Sequence, residues 1–310
     1  MDSIKVFAPA TVANVACGYD VLGFALDEIG DELIISKKET LGLTISAIYG
    51  SDLLSKDPNR NVITVATQAL LNSLDEAPEF GFDFRLTKKV QPGSGLGSSA
   101  SSSAAAVFGV NRLLGEPFSK TKLVQFAMQG EKLASGVPHA DNVAPSLLGG
   151  FTLIRSYDPL DIIELDYPDE LYATVVHPNI EIKTSDAKRM LKKQIELRDA
   201  IVQWGNLAGL IHGLAKEDFA LIGRSLEDVI AEPIRGILIP GFEEAKKRSK
   251  KAGALGCSIS GSGPSIFALS EGLQTAQKVA ETFRSLFEEI GLESYQHVSA
   301  INPKGTEVIK

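Results

Sequence analysis

Residues 92–106 read PGSGLGSSASSSAAA, with Gly93, Gly95 and Gly97 spaced two apart and leading directly into Ser98 and Ser99. The stretch before it, FDFRLTKKV (residues 82–90), alternates with a period of two and predicts a strand. The stretch after it carries a helical apolar pattern that stops at Gly115, a natural helix-terminating glycine. A strand, a glycine loop and a helix start in this order let several backbone N–H groups turn toward one point. They also permit close approach of a ligand and add the positive end of a helix dipole. Together these features favour an anion, most often phosphate. The alternative is a tight turn in a close-packed place, and the clustered glycines followed by two serines weigh against it.

Several phosphate binders are excluded. GxxxxGK[ST] does not occur, because the chain contains no Gly-Lys pair. Gly95-x-Gly97-x-x-Ala100 matches a loose dinucleotide fingerprint, but it lies well inside the chain, after an amphipathic rather than a fully buried strand. Protein-kinase HRD and DFG signatures and the GxSxG elbow are absent. A nucleotide-dependent oxidoreductase therefore stays only as a rival reading of Gly95 and Gly97.

Composition narrows the class. The chain has 310 residues, 44% apolar and 23% charged, which is globular composition for one large domain or two ordinary ones. Lys+Arg number 31 against 39 Asp+Glu, and the net charge of -8 disfavours nucleic acid and anionic membranes as partners. Cys17 and Cys257 are too few for a disulfide scaffold or a Cys₄ zinc site, and the histidines at 139, 177, 212 and 297 are scattered. No apolar run reaches the roughly 18 residues of a membrane span, and the N-terminus lacks a signal-peptide profile, so a cytoplasmic protein is expected. The basic run at 246–251 reads as the solvated face of a helix.

Outward from the glycine loop, residues 3–8 predict a strand broken by Pro9. The hairpin after it has a polar turn containing Asn14, Gly18, Tyr19 and Asp20. Residues 31–50 alternate roughly as strands. Asn61 suits the N-cap of a helix over 62–74, and Ser119 that of a helix running to about Ser135. Helical patterns fill 185–231, and Pro240-Gly241 precede a basic helix closed by Gly253. A strand at 255–260, a turn at 261–264, a returning strand, a helix over 273–290 and a last strand near 294–301 follow. Irregular alternation with hairpins at both ends favours α+β over a doubly wound sheet. The composition shift at 156–170 suggests two domains, 1–165 and 166–310.

Some polar residues stand out. Glu131, near the end of a predicted helix, is either a solvated glutamate or a magnesium ligand beside phosphates. His139, Asp141 and Asn142 crowd one Gly/Pro-rich loop, which more often lines a site than a core. Arg235 is either a surface residue or a bidentate carboxylate clamp. Gly261 opens Gly-Ser-Gly-Pro, a plain hairpin turn or a backbone wall against a ligand.

Three ordered segments carry a resemblance: APATVANVACGYDVLGFAL (8–26), PGSGLGSSAS (92–101) and LGCSISGSGPSIFAL (255–269). Nearly the whole chain resembles the GHMP small-molecule kinases. GVPHADNVAPSLLGGF (136–151) and RGILIPGF (235–242) look like its homoserine kinase branch rather than mevalonate kinases or galactokinases. The resemblance implies a two-domain α+β fold with a ribosomal-S5-like N-terminal domain and a ferredoxin-like C-terminal domain. It implies ATP-dependent phosphorylation of the L-homoserine hydroxyl, in threonine biosynthesis, by a homodimer.

Residue by residue, it implies ATP at Pro92, Gly93, Ser94, Gly95, Leu96, Gly97, Ser98, Ser99, Ala100 and Ser101, with Asn61 near the adenine. It implies Mg²⁺ on Ser99 and Glu131, with Ser98 in reserve. For the amino acid it implies Asn14, Asp20 (to the ammonium), His139, Asn142 (to the reacting hydroxyl), Gly261 and Arg235 (to the carboxylate). Asp141 matches a residue described as a base in mevalonate kinases, a role homoserine kinases are read as doing without. A second carboxylate ligand falls on Lys188 or its neighbour Arg189. Gln91, where proline is common in the family, and Ser101, where alanine is common, depart from the pattern.

Overall fold

The computed structural model describes residues 2–180, 182 and 189–310; Lys188 therefore lies outside the described residues. The N-terminal half builds a seven-stranded sheet, whose last strand comes from the far end of the chain. β1 (Ser3–Val15) and β2 (Gly18–Lys38) form a long hairpin closed by a two-residue turn, with Val15 opposite Gly18. β3 (Leu43–Tyr49) runs parallel to β4 (Gly81–Thr87), which pairs antiparallel with the second half of β2. β5 (Phe151–Tyr157) pairs with the first half of β2 and with β6 (Leu160–Leu165).

Pro9 does not end β1, contrary to expectation. It lies opposite Gly30, and the register slips before Thr11 meets Ala25. Proline cannot donate to a ladder but is tolerated at a bulge. Beyond the slip, the hairpin tip leaves β4, joins β5 and reaches the other half of the chain, where Leu26 bridges Ile301.

Four helices cover one face: α1 (Val62–Leu71), α2 (Ser98–Leu113), α3 (Lys120–Ser135) and α4 (Val143–Leu148). Phe82, Phe84 and Leu86 alternate inward from β4 to meet them. Small residues bring α2 close to the sheet: a Cβ on Gly109 would lie 2.4 Å from Ile35 Cδ1. Asn61 and Ser119 cap α1 and α3, accepting from Ile63 N–H and Lys122 N–H.

The C-terminal half holds β7 (Leu171–Pro178), α5 (Leu197–Lys216), α6 (Phe219–Ser225), α7 (Glu232–Arg235), α8 (Phe242–Lys251), β8 (Gly256–Ile259), β9 (Ile266–Glu271), α9 (Leu273–Glu289) and β10 (Ser294–Ala300). Its four strands lie in the order β10-β7-β9-β8, all neighbours antiparallel, which is the ferredoxin-like arrangement. Phe242, Phe283 and Phe287 pack beneath them.

Strands β5 to β7 were not expected from the sequence, and the chain continues past β10. β11 (Glu307–Ile309) returns to pair with β1. A core spanning both halves joins Leu22, Phe24 and Phe151 to Leu171, Leu210 and Phe267; the Phe24 and Phe151 ring centroids are 4.8 Å apart. That core carries the hairpin tip, and Gly261 N–H donates to Ala13 O at 2.9 Å, so the tip and the 260–265 turn, the two pieces that meet the glycine loop, are joined.

Candidate active site

Gly93, Gly95 and Gly97 all take positive φ, at 77°, 81° and 66°. A Cβ on Gly95 would lie 2.6 Å from Ser260 O, and one on Gly97 would lie 2.1 Å from Thr11 Oγ1. Only glycine fits these two close approaches. Gly93 has nothing within 4 Å on that side. The turn is clamped from two directions: Thr11 N–H donates to Leu96 O at 3.1 Å and Ser265 N–H to Ser94 O at 3.3 Å. Ser260 Oγ–H donates to Gly95 O at 2.7 Å. Gly97, as N-cap of α2, supplies no side chain to the helix start. The helix tip therefore points its backbone donors at the cavity without a side-chain cap.

The cavity has a volume of about 550 Å³, within the range of small-molecule sites. Pro92, Gly93, Gly95, Gly97, Ser98 and Ser99 line it; Ser94, Leu96, Ala100 and Ser101 do not. Leu96 belongs to the shared core, Ala100 of α2 to the core between helices and sheet, Ser94 Oγ accepts from Leu96 N–H, and Ser98 Oγ donates to Val90 O.

Ser101 leads to a feature that the sequence did not reveal. Its hydroxyl donates to Asp31 Oδ2 at 2.7 Å, as that of Ser102 does at 2.8 Å. Asp31 also accepts from Lys89 N–H at 3.1 Å, Val90 N–H at 3.2 Å and the ammonium of Lys88. Lys88 in turn donates to Ser98 O and Ser102 Oγ. Both charged side chains are essentially inaccessible. Burial pulls the Lys88 ammonium below its ordinary pKa, and the Asp31 carboxylate opposes that fall. The pair ties the end of β4 to the first turn of α2, directly under the glycine turn.

The rest of the lining is made largely of side chains. Asn14 and Asp20 also take positive φ, at 56° and 57°. Asn14 Nδ2 donates to Gly261 O at 2.8 Å, while its Oδ1 accepts from Asp20 N–H at 2.7 Å. His139 Nδ1 sits 3.4 Å from Asp20 Oδ1. Tyr157 O–H, to which nothing in the sequence drew notice, donates to Asp20 O at 2.9 Å and accepts from Ala140 N–H at 3.3 Å. Burial raises the Tyr157 pKa, with the Asp141 charge acting in the same direction, so the phenol stays neutral and can bridge the two loops.

Asn142 Oδ1 accepts from Thr11 Oγ1 at 2.8 Å, which fixes the amide orientation. Asp141 is 3% exposed and lines the cavity beside it. Arg235 Nη1 donates to Gly261 O at 3.3 Å and Nη2 to Tyr19 Oη at 3.2 Å. Arg189 is exposed and does not line the cavity.

Ser99 and buried Glu131 line the same cavity. One hydroxyl and one carboxylate beside a phosphate-type turn suit Mg²⁺, which keeps few protein ligands and takes the rest from phosphate and water. Among the described residues no cluster of three or more His, Cys, Asp or Glu would hold a metal on its own. Leu53, Leu54, Val62 and Leu133 add apolar side chains to the lining, with Asn61, whose Nδ2 donates to Ser55 O at 2.7 Å. A phosphate-type turn, several apolar side chains and a cluster of amino-acid-sized polar groups thus share one cavity.

Comparison with known proteins agrees with this arrangement. The family model described as GHMP kinases N terminal domain matches residues 61–150, and that described as GHMP kinases C terminal matches 210–289. A homoserine kinase of Chlorobium phaeobacteroides is 47% identical over the full length of both chains. The chain belongs to the GHMP kinase family. A crystal structure of homoserine kinase from Cytophaga hutchinsonii superposes with a TM-score of 0.96 at 52% identity, covering 100% of this chain and 98% of that one. The fold extends to more distant GHMP kinases: an L. major mevalonate kinase in complex with R-mevalonate gives a TM-score of 0.72 at 17% identity, covering 96% of each chain. No helix among the described residues is long and apolar enough to cross a membrane.

Proposed function

We infer that this chain transfers the γ-phosphoryl group of ATP to the side-chain hydroxyl of L-homoserine, giving O-phospho-L-homoserine for threonine synthesis. One observation carries the reading. The glycine turn, the α2 tip and the cluster Asn14, Asp20, His139, Asn142 and Arg235 line a single cavity, in a chain 47% identical to a homoserine kinase.

Backbone amides of the 93–97 turn and the α2 tip bind the polyphosphate. The apolar side chains of Leu53, Val62 and Leu133 take the adenine beside Asn61. Arg235 pairs with the amino-acid carboxylate, Asp20 with its ammonium, and Asn142 orients the hydroxyl for in-line attack. Phosphoryl transfer through a loose transition state asks mainly for positioning and charge stabilisation. Asp141 lies at hand for the proton without being required early. A magnesium ion, when bound, neutralises charge on the phosphoryl oxygens; Ser99 and Glu131 would hold it.

The family resemblance supports a cytoplasmic homodimer. It also supports division into units of 1–165 and 166–310, with β11 crossing back to the first sheet. The test is ADP release from ATP with a panel of alcohols. Turnover with L-homoserine and not with mevalonate or galactose is expected. Preference for either of the latter, or a nicotinamide signal on mixing with NAD(P)H, overturns the reading.

A further inference from the structure

Arg235 is 4% exposed and sits at the end of a four-residue helix, α7. A guanidinium recognises a carboxylate well only when its planar fork presents one edge, so something must fix its rotation. Two acceptors on different parts of the chain do so. Gly261 O, on the 260–265 turn, takes Nη1 at 3.3 Å. Tyr19 Oη, at the tip of the N-terminal hairpin, takes Nη2 at 3.2 Å. The Arg235 Cζ also lies 5.0 Å from the centroid of the Tyr19 ring. Tyr19 lines the main cavity together with Arg235, and the small space behind it as well.

We propose that Tyr19 is a specificity-determining positioning residue: it orients the Arg235 fork, and through it makes a free α-carboxylate a condition for efficient phosphorylation of the acceptor alcohol. The ring supplies a cation–π face and the hydroxyl supplies an acceptor, so the two contributions separate by substitution. The acceptor comes from the N-terminal half and Arg235 from the C-terminal half, which makes carboxylate recognition depend on their junction.

This inference rests on the homoserine reading above, and the experiment keeps the two apart. L-Homoserine is compared with 3-aminopropan-1-ol, the same amino alcohol without the carboxylate, in the full-length protein and in Tyr19→Phe and Tyr19→Leu. Removing one partner of a charge-assisted hydrogen bond predicts a KM for L-homoserine raised about tenfold in Tyr19→Phe, and further in Tyr19→Leu. The kcat with L-homoserine and the KM for ATP should hold within about twofold, and kcat/KM for 3-aminopropan-1-ol should change by less than about twofold.

Equal losses on both alcohols would show a merely structural tyrosine, and unchanged KM for L-homoserine in both variants would show an idle one; either overturns the proposal. If the unsubstituted protein does not prefer L-homoserine to 3-aminopropan-1-ol, the homoserine reading itself fails and the proposal with it. Thermal melts of both variants check folding, and Tyr19→Phe, which keeps the ring, decides the matter if Tyr19→Leu unfolds.

Discussion

The two walls of the cavity are built from different materials. The phosphate wall is backbone: a glycine turn and a helix tip, contiguous in sequence and clamped by hydrogen bonds to Thr11, Ser260 and Ser265. The acceptor wall is side chains drawn from the hairpin tip, the 139–142 loop, α7 and the 261 turn. Backbone donors cannot be deleted by substitution, so the phosphate wall is vulnerable through what holds its shape. The acceptor wall is vulnerable group by group, and its losses should appear in the affinity for one substrate.

The largest effect should come from beneath the phosphate wall. Lys88→Met leaves Asp31 buried without its cation, and breaking a buried pair by removing one partner costs about 3–5 kcal/mol. Chemical denaturation should show that loss, and activity should fall because the α2 tip shifts with it. The double variant Asp31→Leu/Lys88→Met should recover part of the stability. A single variant as stable as the unsubstituted protein would break the contrast, since the wall would then need no anchor.

Next come Ser99 and Glu131. Ser99→Ala and Glu131→Gln should each lower kcat by about a hundredfold or more, as loss of a charge-stabilising group does, with a smaller effect on folding. Steady-state turnover with a magnesium titration checks this. Unchanged kcat in both would remove the metal from this position. On the acceptor wall, Arg235→Leu should raise the KM for L-homoserine by roughly one to two orders of magnitude, for a lost bidentate charged pair, and leave the KM for ATP nearly intact. A fall in ATP affinity instead would put Arg235 on the other wall.

The same difference decides what is legible in the sequence. Gly93 to Ser99 form one short motif whose physics is local, so the phosphate turn can be read from the chain alone. The acceptor residues sit at Asn14, Asp20, His139, Asn142 and Arg235; local reading marks the 14–20 turn and the 139–142 loop separately, but no spacing rule joins the two to each other or to Arg235, and only the family resemblance gathers them.

The Asp31–Lys88 pair escapes a sequence reading because its partners come from a strand interior and a strand end 57 residues apart. A charge in a strand reads as solvent-facing until the fold buries it. The one available signal is Lys88 and Lys89 directly before the glycine loop. Ser101 shows the converse: it lies within the motif, yet the helical period turns its hydroxyl toward Asp31. Strands β5 to β7 are hard to see because prolines and acidic residues interrupt the stretch that holds them, and FTLIRSY does not alternate cleanly, with a register shift between Ile154 and Ser156. Pro9 reads as a strand end only if its missing N–H is needed, and a bulge removes that need.

The smallest expected effect sharpens the comparison at the seam between the walls. His177 Nδ1 lies 3.0 Å from Ser265 Oγ, and Ser265 N–H holds Ser94 of the glycine turn. Burial lowers the pKa of the imidazole below its ordinary value. The unfolded chain therefore takes up this proton first as pH falls. The stability contributed by the neutral ring is present above about pH 6.5, the ordinary histidine value, and is lost as pH drops toward the lower folded-state value. Denaturation midpoints between pH 7.5 and 5.5 should fall more steeply in the unsubstituted protein than in His177→Gln, which keeps a polar neighbour for Ser265 but does not titrate. Because Ser265 N–H holds Ser94 of the glycine turn directly, the KM for ATP should rise on the same descent in a His177-dependent way. Identical slopes in the two proteins would show that this seam does not respond to the proton, and that acid weakens the molecule elsewhere.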